Sequence, residues 1–165
     1  MKKLLMIFSL LIIAIVGSSH TFAYTVPTPS ADQNQFTYDI PLTEGGEKMD
    51  VLYPKTVNVG DTIIPLEIHL SNDVGTGENT TVSITQIYAL GKYIDLDIQA
   101  GTSQIVNVEL SNPVELGDTF SFQKVEIGYN IGASTYLETD LQWVSETLNI
   151  EVVNPNLLEI IDVVD

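Results

Sequence analysis

The chain contains no cysteine and no arginine, and it has only two histidines, one tryptophan and three methionines in 165 residues. The absence of cysteine excludes disulfide bonds, cysteine nucleophiles, thiolate metal ligands and lipid attachment through a lipobox cysteine. The folded protein must therefore be stabilised by packing and hydrogen bonding alone.

Basic residues are also scarce, because six lysines stand against 22 acidic residues and the formal net charge is −16. A surface with this excess of negative charge repels phosphate backbones and anionic lipids. We therefore expect no nucleic-acid partner. The same surface is compatible with calcium and with a salty environment.

The N-terminus has the three-part layout of a secretory signal peptide. Lys2 and Lys3 precede the apolar run LLMIFSLLIIAIV, and the small residues Thr21 and Ala23 occupy the −3 and −1 positions of a cleavage site after Ala23. The apolar run would span roughly 20 Å as a helix, less than the ~30 Å hydrocarbon thickness of a bilayer. The sequence predicts cleavage of residues 1–23, a location that is secreted, at the cell surface or in a periplasm-like extracytoplasmic space, and no membrane span after cleavage. Retention as an N-terminal anchor is the alternative.

Beyond the signal, the apolar residues recur with a period of two. Residues 24–34 contain proline, serine and threonine without an apolar face, and are predicted to form a flexible leader. Residues 35–154 contain short alternating runs separated by glycine, asparagine, aspartate and proline. This spacing predicts an all-β domain, an antiparallel Ig-like β-sandwich of about seven to nine strands. Residues 155–165 form an apolar and acidic tail or a last strand.

Two of these runs carry details that can be compared with a structure. In TTVSITQIYAL the alternation places Val82, Ile84 and Tyr88 on one side of a strand. In TFSFQKVEIGYNI the apolar parity changes after Phe122, and a β-bulge at Gln123–Lys124 would restore a common inward face.

The segment VNVGDTIIPLEIHLSN, followed by TTVSITQIYALGKYIDLDIQAGTSQIVNVELS, resembles the CARDB-type Ig-like modules of prokaryotic exported and S-layer-associated proteins. The resemblance covers roughly residues 57–153. It implies adhesion, spacing or assembly at a cell surface, and it implies no catalytic residue. The later acidic and asparagine-rich stretch of that family has no plain counterpart here.

Oxygen-bearing side chains supply the candidate metal ligands. Asp95 and Asp97 alternate with Ile94, Leu96 and Ile98, so both carboxylates are expected on the solvent side of a strand, with cation binding as the alternative. The glycine-bearing loop SNDVGTGENTT is the other calcium candidate, although turn formation explains the same residues. The metal candidates are Asn72, Asp73, Glu78, Asp95 and Asp97.

The remaining polar motifs are few. Asn79 begins the only N-x-[ST] sequon after the signal and is a candidate glycosylation site. His69 is the only histidine left after cleavage and is predicted to lie on the outer face of a strand. A zinc site or a Ser-His-Asp triad would need partners that the sequence does not indicate, so no enzymatic activity is expected.

The aromatic residues of the predicted strands are candidates for a ligand-binding surface. Tyr88, Tyr93 and Trp143, with Tyr129 and Tyr136, would suit a flat glycan-binding platform on the sandwich. The alternative is that they are core or rim residues, with Trp143 as the natural core anchor.

The C-terminal tail NLLEIIDVVD repeats two apolar residues followed by an acid. It is expected either to pack on its own domain or to dock on another chain. The candidate partner-binding residues are Leu157, Leu158, Ile160, Ile161, Val163 and Val164.

These observations favour a non-catalytic, exported structural or interaction module of a cell envelope, which would contact other envelope or extracellular proteins. The alternative function is carbohydrate binding, with or without calcium. The sequence predicts no other cofactor.

Overall fold

The computed structural model describes residues 25–40, 47–71, 80–131, 134–137 and 142–155, with side chains at all of these except 80, 81, 129–131 and 134–137. These residues form eleven β-strands. The strands are β1 (Gln33–Asp39), β2 (Lys48–Pro54), β3 (Thr56–Asn58), β4 (Ile63–Leu70), β5 (Thr80–Ala89), β6 (Lys92–Gln99), β7 (Ser103–Glu109), β8 (Phe120–Ile131), β9 (Ser134–Leu137), β10 (Gln142–Leu148) and β11 (Glu151–Val153). Eight of them are seven or more residues long, and three short strands of three or four residues bring the total above the predicted seven to nine.

The long strands form two antiparallel sheets. Sheet 1 has the order β1-β2-β4-β7, and sheet 2 has the order β10-β8-β5-β6 with β9 beside β8. Because β4 pairs with β7 and β5 pairs with β8, each sheet takes strands from both halves of the chain. This arrangement confirms the predicted antiparallel Ig-like sandwich. The short strands β3 and β11 pair with each other in parallel.

The hydrophobic core lies between the two sheets. Alternate residues of each strand point inward, and burying each large aliphatic side chain contributes roughly 1.5–3 kcal/mol. An edge-to-face contact between Phe36 and Phe122, with ring centroids 5.4 Å apart, joins β1 to β8 across the core. Fully buried core residues include Met49, Val51, Ile64, Leu66, Ile68 and Leu70 from sheet 1 and Ile84, Ile87, Phe122 and Val125 from sheet 2.

Two β-bulges in sheet 2 decide which side chains point outward. The pairing of β8 skips Gln123 on both sides, which confirms the bulge predicted there. A second register shift lies between Ile84 and Gln86 on β5. The extra residue reverses the alternation, so Ile87 points inward and Tyr88 points outward. The predicted placement of Tyr88 on the same side as Ile84 is therefore wrong.

The start of the domain is tied to the loop after β2. Strand β1 begins at Gln33, two residues before the predicted start of the sandwich. The backbone N–H of Lys55 donates to the Asp32 carbonyl at 2.9 Å, and its ammonium donates to the Ala31 carbonyl at 2.6 Å. Within the described ranges, the chain forms no helix of the length and apolarity needed to cross a membrane.

Candidate functional site

Four side chains from four neighbouring strands form one row across the outer face of sheet 2. Trp143 on β10 lies opposite Lys124 on β8, Lys124 lies opposite Tyr88 on β5, and Tyr88 lies opposite Tyr93 on β6. Directly paired residues of antiparallel strands project to the same face. We call these four residues the aromatic row. It crosses three strand spacings, roughly 14 Å.

Contacts within the aromatic row join its members in pairs. The Lys124 ammonium lies 4.4 Å from the ring centroid of Trp143, a cation–π contact. The rings of Tyr88 and Tyr93 are 4.5 Å apart between centroids and are tilted by 45°. Trp143 is 68% exposed and Tyr93 is 57% exposed, whereas Tyr88 and Lys124 are half-buried. The two ends of the row are therefore open to a ligand.

The residues beside the aromatic row explain why it faces outward. Tyr88 stands between Ile87 and Ala89, which are both fully buried in the core. Lys124 precedes Val125, which is also fully buried. Since alternate residues of a strand point to opposite faces, the burial of these neighbours fixes Tyr88 and Lys124 on the outside.

A hydrogen bond from the other sheet holds the backbone at Trp143. The hydroxyl of Tyr38 on β1 donates to the carbonyl oxygen of Trp143 at 3.5 Å. Partial burial of Tyr38 raises its pKa above the ordinary value near 10. This bond connects the edge strands β1 and β10 of the two sheets.

A second row of polar side chains lies next to the aromatic row. Glu126 on β8 lies opposite Gln86 on β5, and Gln86 lies opposite Asp95 on β6. The Gln86 amide donates to an Asp95 carboxylate oxygen at 2.7 Å, and the Thr85 hydroxyl donates to a Glu126 carboxylate oxygen at 2.6 Å. We call Glu126, Gln86 and Asp95 the polar row. Each of its carboxylates keeps further lone pairs for donors from a ligand.

Both predicted strand carboxylates lie on the solvent side. Asp95 and Asp97 are exposed, which confirms the interpretation that they belong to the wet face of the sheet. Asp97 accepts a hydrogen bond from the Gln99 amide at 2.6 Å. Each of the two carboxylates is thus bonded to a neutral amide of its own sheet.

Calcium binding stays a prediction. No group of three or more His, Cys, Asp or Glu side chains that could hold a metal ion occurs in the part of the chain that the structure describes. The candidate loop ligands Asn72, Asp73 and Glu78 lie outside that part.

Several other predicted residues also lie outside the description. These are the glycosylation candidate Asn79 and the tail residues Leu157, Leu158, Ile160, Ile161, Val163 and Val164. The side chains of Tyr129 and Tyr136 are likewise not described. The alternative that made Trp143 a core anchor is wrong, because the exposed indole lies on the outer face of sheet 2.

Sequence reasoning missed Lys124, Gln86 and Glu126 as members of this surface. The sequence signal that could have found Lys124 is its place directly before the inward-facing series that begins at Val125. Its position opposite Trp143 depends on the pairing of β8 with β10, which no local pattern reveals.

The outer face of sheet 1 carries a polar cluster around β2. Asp50 is fully buried there and accepts hydrogen bonds from the Gln35 amide at 2.9 Å and from the Thr37 hydroxyl. His69 lies opposite Asp50, and its Nε2 is 2.9 Å from a Glu67 carboxylate oxygen. The predicted outward position of Glu67 and His69 is confirmed by the burial of the alternating core residues of β4. These polar groups bond to one another.

A shallow cleft of about 470 Å³ lies between the start of β1 and the β10–β11 connection. Two donors at this cleft are already paired with backbone carbonyls, since Asn34 donates to Asn149 at 2.7 Å and Lys55 donates to Ala31.

Comparison with known proteins assigns the chain to no family. No protein-family model, no curated protein and no solved structure gives a significant match. The resemblance to CARDB-type modules stays a prediction, and the function has to be argued from the geometry of the site.

Proposed function

We propose that the protein is an exported, non-catalytic binding module whose aromatic row binds a polysaccharide chain. The observation that supports this proposal is the alignment of Trp143, Tyr88 and Tyr93 in one register row on an open sheet face. Two of these three rings are more than half exposed.

The chemistry of a sugar ring matches the two neighbouring rows. A pyranose has an apolar C–H face, which packs on an aromatic ring, and a rim of hydroxyl groups, which need hydrogen-bond partners. The polar row lies about two residues along the strands from the aromatic row, roughly 7 Å away. A ring stacked on Tyr88 would therefore direct hydroxyl groups towards Gln86 and the carboxylates of Glu126 and Asp95.

The shape of the surface favours a polymer over a small molecule. Small-molecule sites are usually concave and enclose most of their ligand. The aromatic row instead runs across the outside of a sheet between Trp143 on β10 and Tyr93 on β6. A chain laid along it would continue beyond both ends.

Binding of protein partners through sheet edges or the C-terminal tail is the other function that the sequence favoured. The tail lies outside the described residues, so this interpretation stays a prediction. The aromatic row gives the glycan interpretation the more specific support, because it combines stacking surfaces with adjacent hydrogen-bond acceptors.

Affinity electrophoresis tests the proposal. The purified protein is run in native gels that contain hydroxyethylcellulose, dextran, mannan or xylan, and its mobility is compared with that in a polymer-free gel. We expect at least one polymer to retard the wild-type protein. The Trp143→Ala variant should bind that polymer about tenfold more weakly or worse, because it removes the larger of the two exposed rings of the row.

The matched control is Ile105→Ala, since Ile105 is 66% exposed on the outer face of sheet 1 and Trp143 is 68% exposed on sheet 2. The control should be retarded like the wild type. Equal loss of binding in both variants, or no retardation of the wild type by any of the polymers, would contradict the proposal.

A further inference from the structure

We infer that the aromatic row selects uncharged polysaccharides and discriminates against acidic ones. This inference rests on the proposed function and adds the chemical class of the ligand. It follows from the charges that the structure places around the aromatic row.

Among the described side chains on this face of sheet 2, one is a cation and three are carboxylates. Lys124 lies within the aromatic row, whereas Glu126 lies on the same face two residues along β8. Asp95 and Asp97 follow Tyr93 on the exposed side of β6. A ligand laid along the aromatic row therefore meets more negative than positive charge.

The position of Lys124 limits what it can offer an acidic sugar. Its ammonium is held 4.4 Å from the ring centroid of Trp143, over one face of the indole. A carboxylate ligand would have to compete with this cation–π contact. An uncharged sugar needs no ion pair with Lys124, so it can stack on the other face of the indole and leave this contact in place.

The carboxylates are close enough to act on a ligand in solution. Two residues along a strand separate charges by roughly 7 Å, which is inside the screening length of about 8 Å at physiological salt. Glu126 and Asp95 would therefore repel a carboxylate bound at the neighbouring ring. The net negative charge of the whole chain adds to this repulsion, because the sequence contains six lysines and 22 acidic residues.

Carboxymethyl derivatives test the inference, because they add negative charge to an otherwise unchanged backbone. The wild-type protein is run in gels with hydroxyethylcellulose against carboxymethylcellulose, and with dextran against carboxymethyl dextran, at 50 and 500 mM NaCl. At low salt we expect the uncharged member of a retained pair to bind about fivefold or more tightly than its acidic counterpart. At high salt this ratio should shrink, because the repulsion is screened.

The double variant Asp95→Asn, Glu126→Gln provides a readout that a merely structural role would not change. Removing two negative charges from the polar row should bring the ratio of uncharged to acidic binding towards one, whatever happens to the overall affinity. Melting temperature confirms that the variant is folded.

Three outcomes are distinguishable. A preference for the uncharged polymer that falls with salt and in the double variant supports the inference. Equal or tighter binding of the acidic polymer at low salt overturns it and leaves polysaccharide binding intact. Absence of binding to every polymer of both panels overturns the proposed function and this inference with it.

Discussion

The outer faces of the two sheets follow the same strand alternation but differ in what their side chains contact. On sheet 1, Asp50 is buried and accepts hydrogen bonds from Gln35 and Thr37. On sheet 2, the rings of Trp143 and Tyr93 remain largely exposed. The polar side chains around Asp50 on sheet 1 are thus used in hydrogen bonds within that sheet, whereas the aromatic rings on sheet 2 are exposed to solvent.

Exposure alone does not separate the two faces, because sheet 1 also has exposed apolar residues. Ile63 is 48% exposed and lies opposite Glu109, and Ile105 is 66% exposed and lies opposite Glu67. Neither isoleucine has an apolar partner directly across the strand pair. On sheet 2 the exposed rings lie opposite a cation or another ring. Register pairing, rather than exposure, distinguishes the proposed binding surface from scattered apolar residues.

The largest expected effect on stability is on sheet 1. Asp50→Ala removes the acceptor of the Gln35 amide and the Thr37 hydroxyl, and the loss of both hydrogen bonds at this fully buried position should lower the free energy of unfolding by about 3 kcal/mol. Urea denaturation measures this change. Folded Asp50→Ala protein should bind polysaccharide like the wild type, because the aromatic row lies on the other sheet.

The matched control for this prediction is Asp39→Ala on the neighbouring strand. The Asp39 side chain is 80% exposed, and its 3.3 Å ion pair with Lys48 is solvated. Its loss should cost at most about 0.5 kcal/mol. If Asp50→Ala were no more destabilising than the control, the hydrogen-bonded cluster would not stabilise sheet 1 as described.

A smaller effect is expected inside the aromatic row. Lys124→Met removes the cation above Trp143 and should lower the free energy of unfolding by about 0.5–1 kcal/mol. It should also change the emission of the single tryptophan. Lys48→Met on sheet 1 is the control, and it should leave the emission unchanged. Identical spectra for Lys124→Met and the wild type would argue against the cation–π contact.

The smallest expected effect on stability concerns Tyr38, whose hydroxyl donates a hydrogen bond to the other sheet. Burial raises the pKa of this phenol, so the folded state holds the proton more tightly than the unfolded state. The resulting stabilisation is fully present below about pH 10 and is lost as the pH rises through the raised pKa. Tyr38→Phe should cost about 0.5 kcal/mol at pH 8 and should decline less than the wild type between pH 9 and 11. Parallel pH profiles for the two proteins would contradict this linkage.

Much of this fold is predictable from local pattern, because apolar and polar residues alternate along most of the strands. The inward set Ile64, Leu66 and Ile68 and the outward pair Asp95 and Asp97 follow directly from it. The bulge at Gln123 was also predictable, because the apolar parity changes within one continuous run.

The candidate site was predictable only in part. The bulge in β5 at Thr85 has no comparable signal, so the orientation of Tyr88 came out wrong. The meeting of Trp143 with Lys124 depends on pairing between β10 and β8, which is set by tertiary packing. The three aromatic residues could therefore be named from the sequence, whereas their alignment in one row depends on the order and register of the strands.

The single tryptophan allows the most direct test of the central claim, that the aromatic row is an open ligand-binding surface. Acrylamide quenching of Trp143 emission is measured in the free protein and at saturating concentrations of the polymers that retard it in gels. We expect efficient quenching in the free protein and clear protection by a bound uncharged polymer. Protection of the tryptophan in the free protein, or quenching that none of the polymers alters, would contradict it.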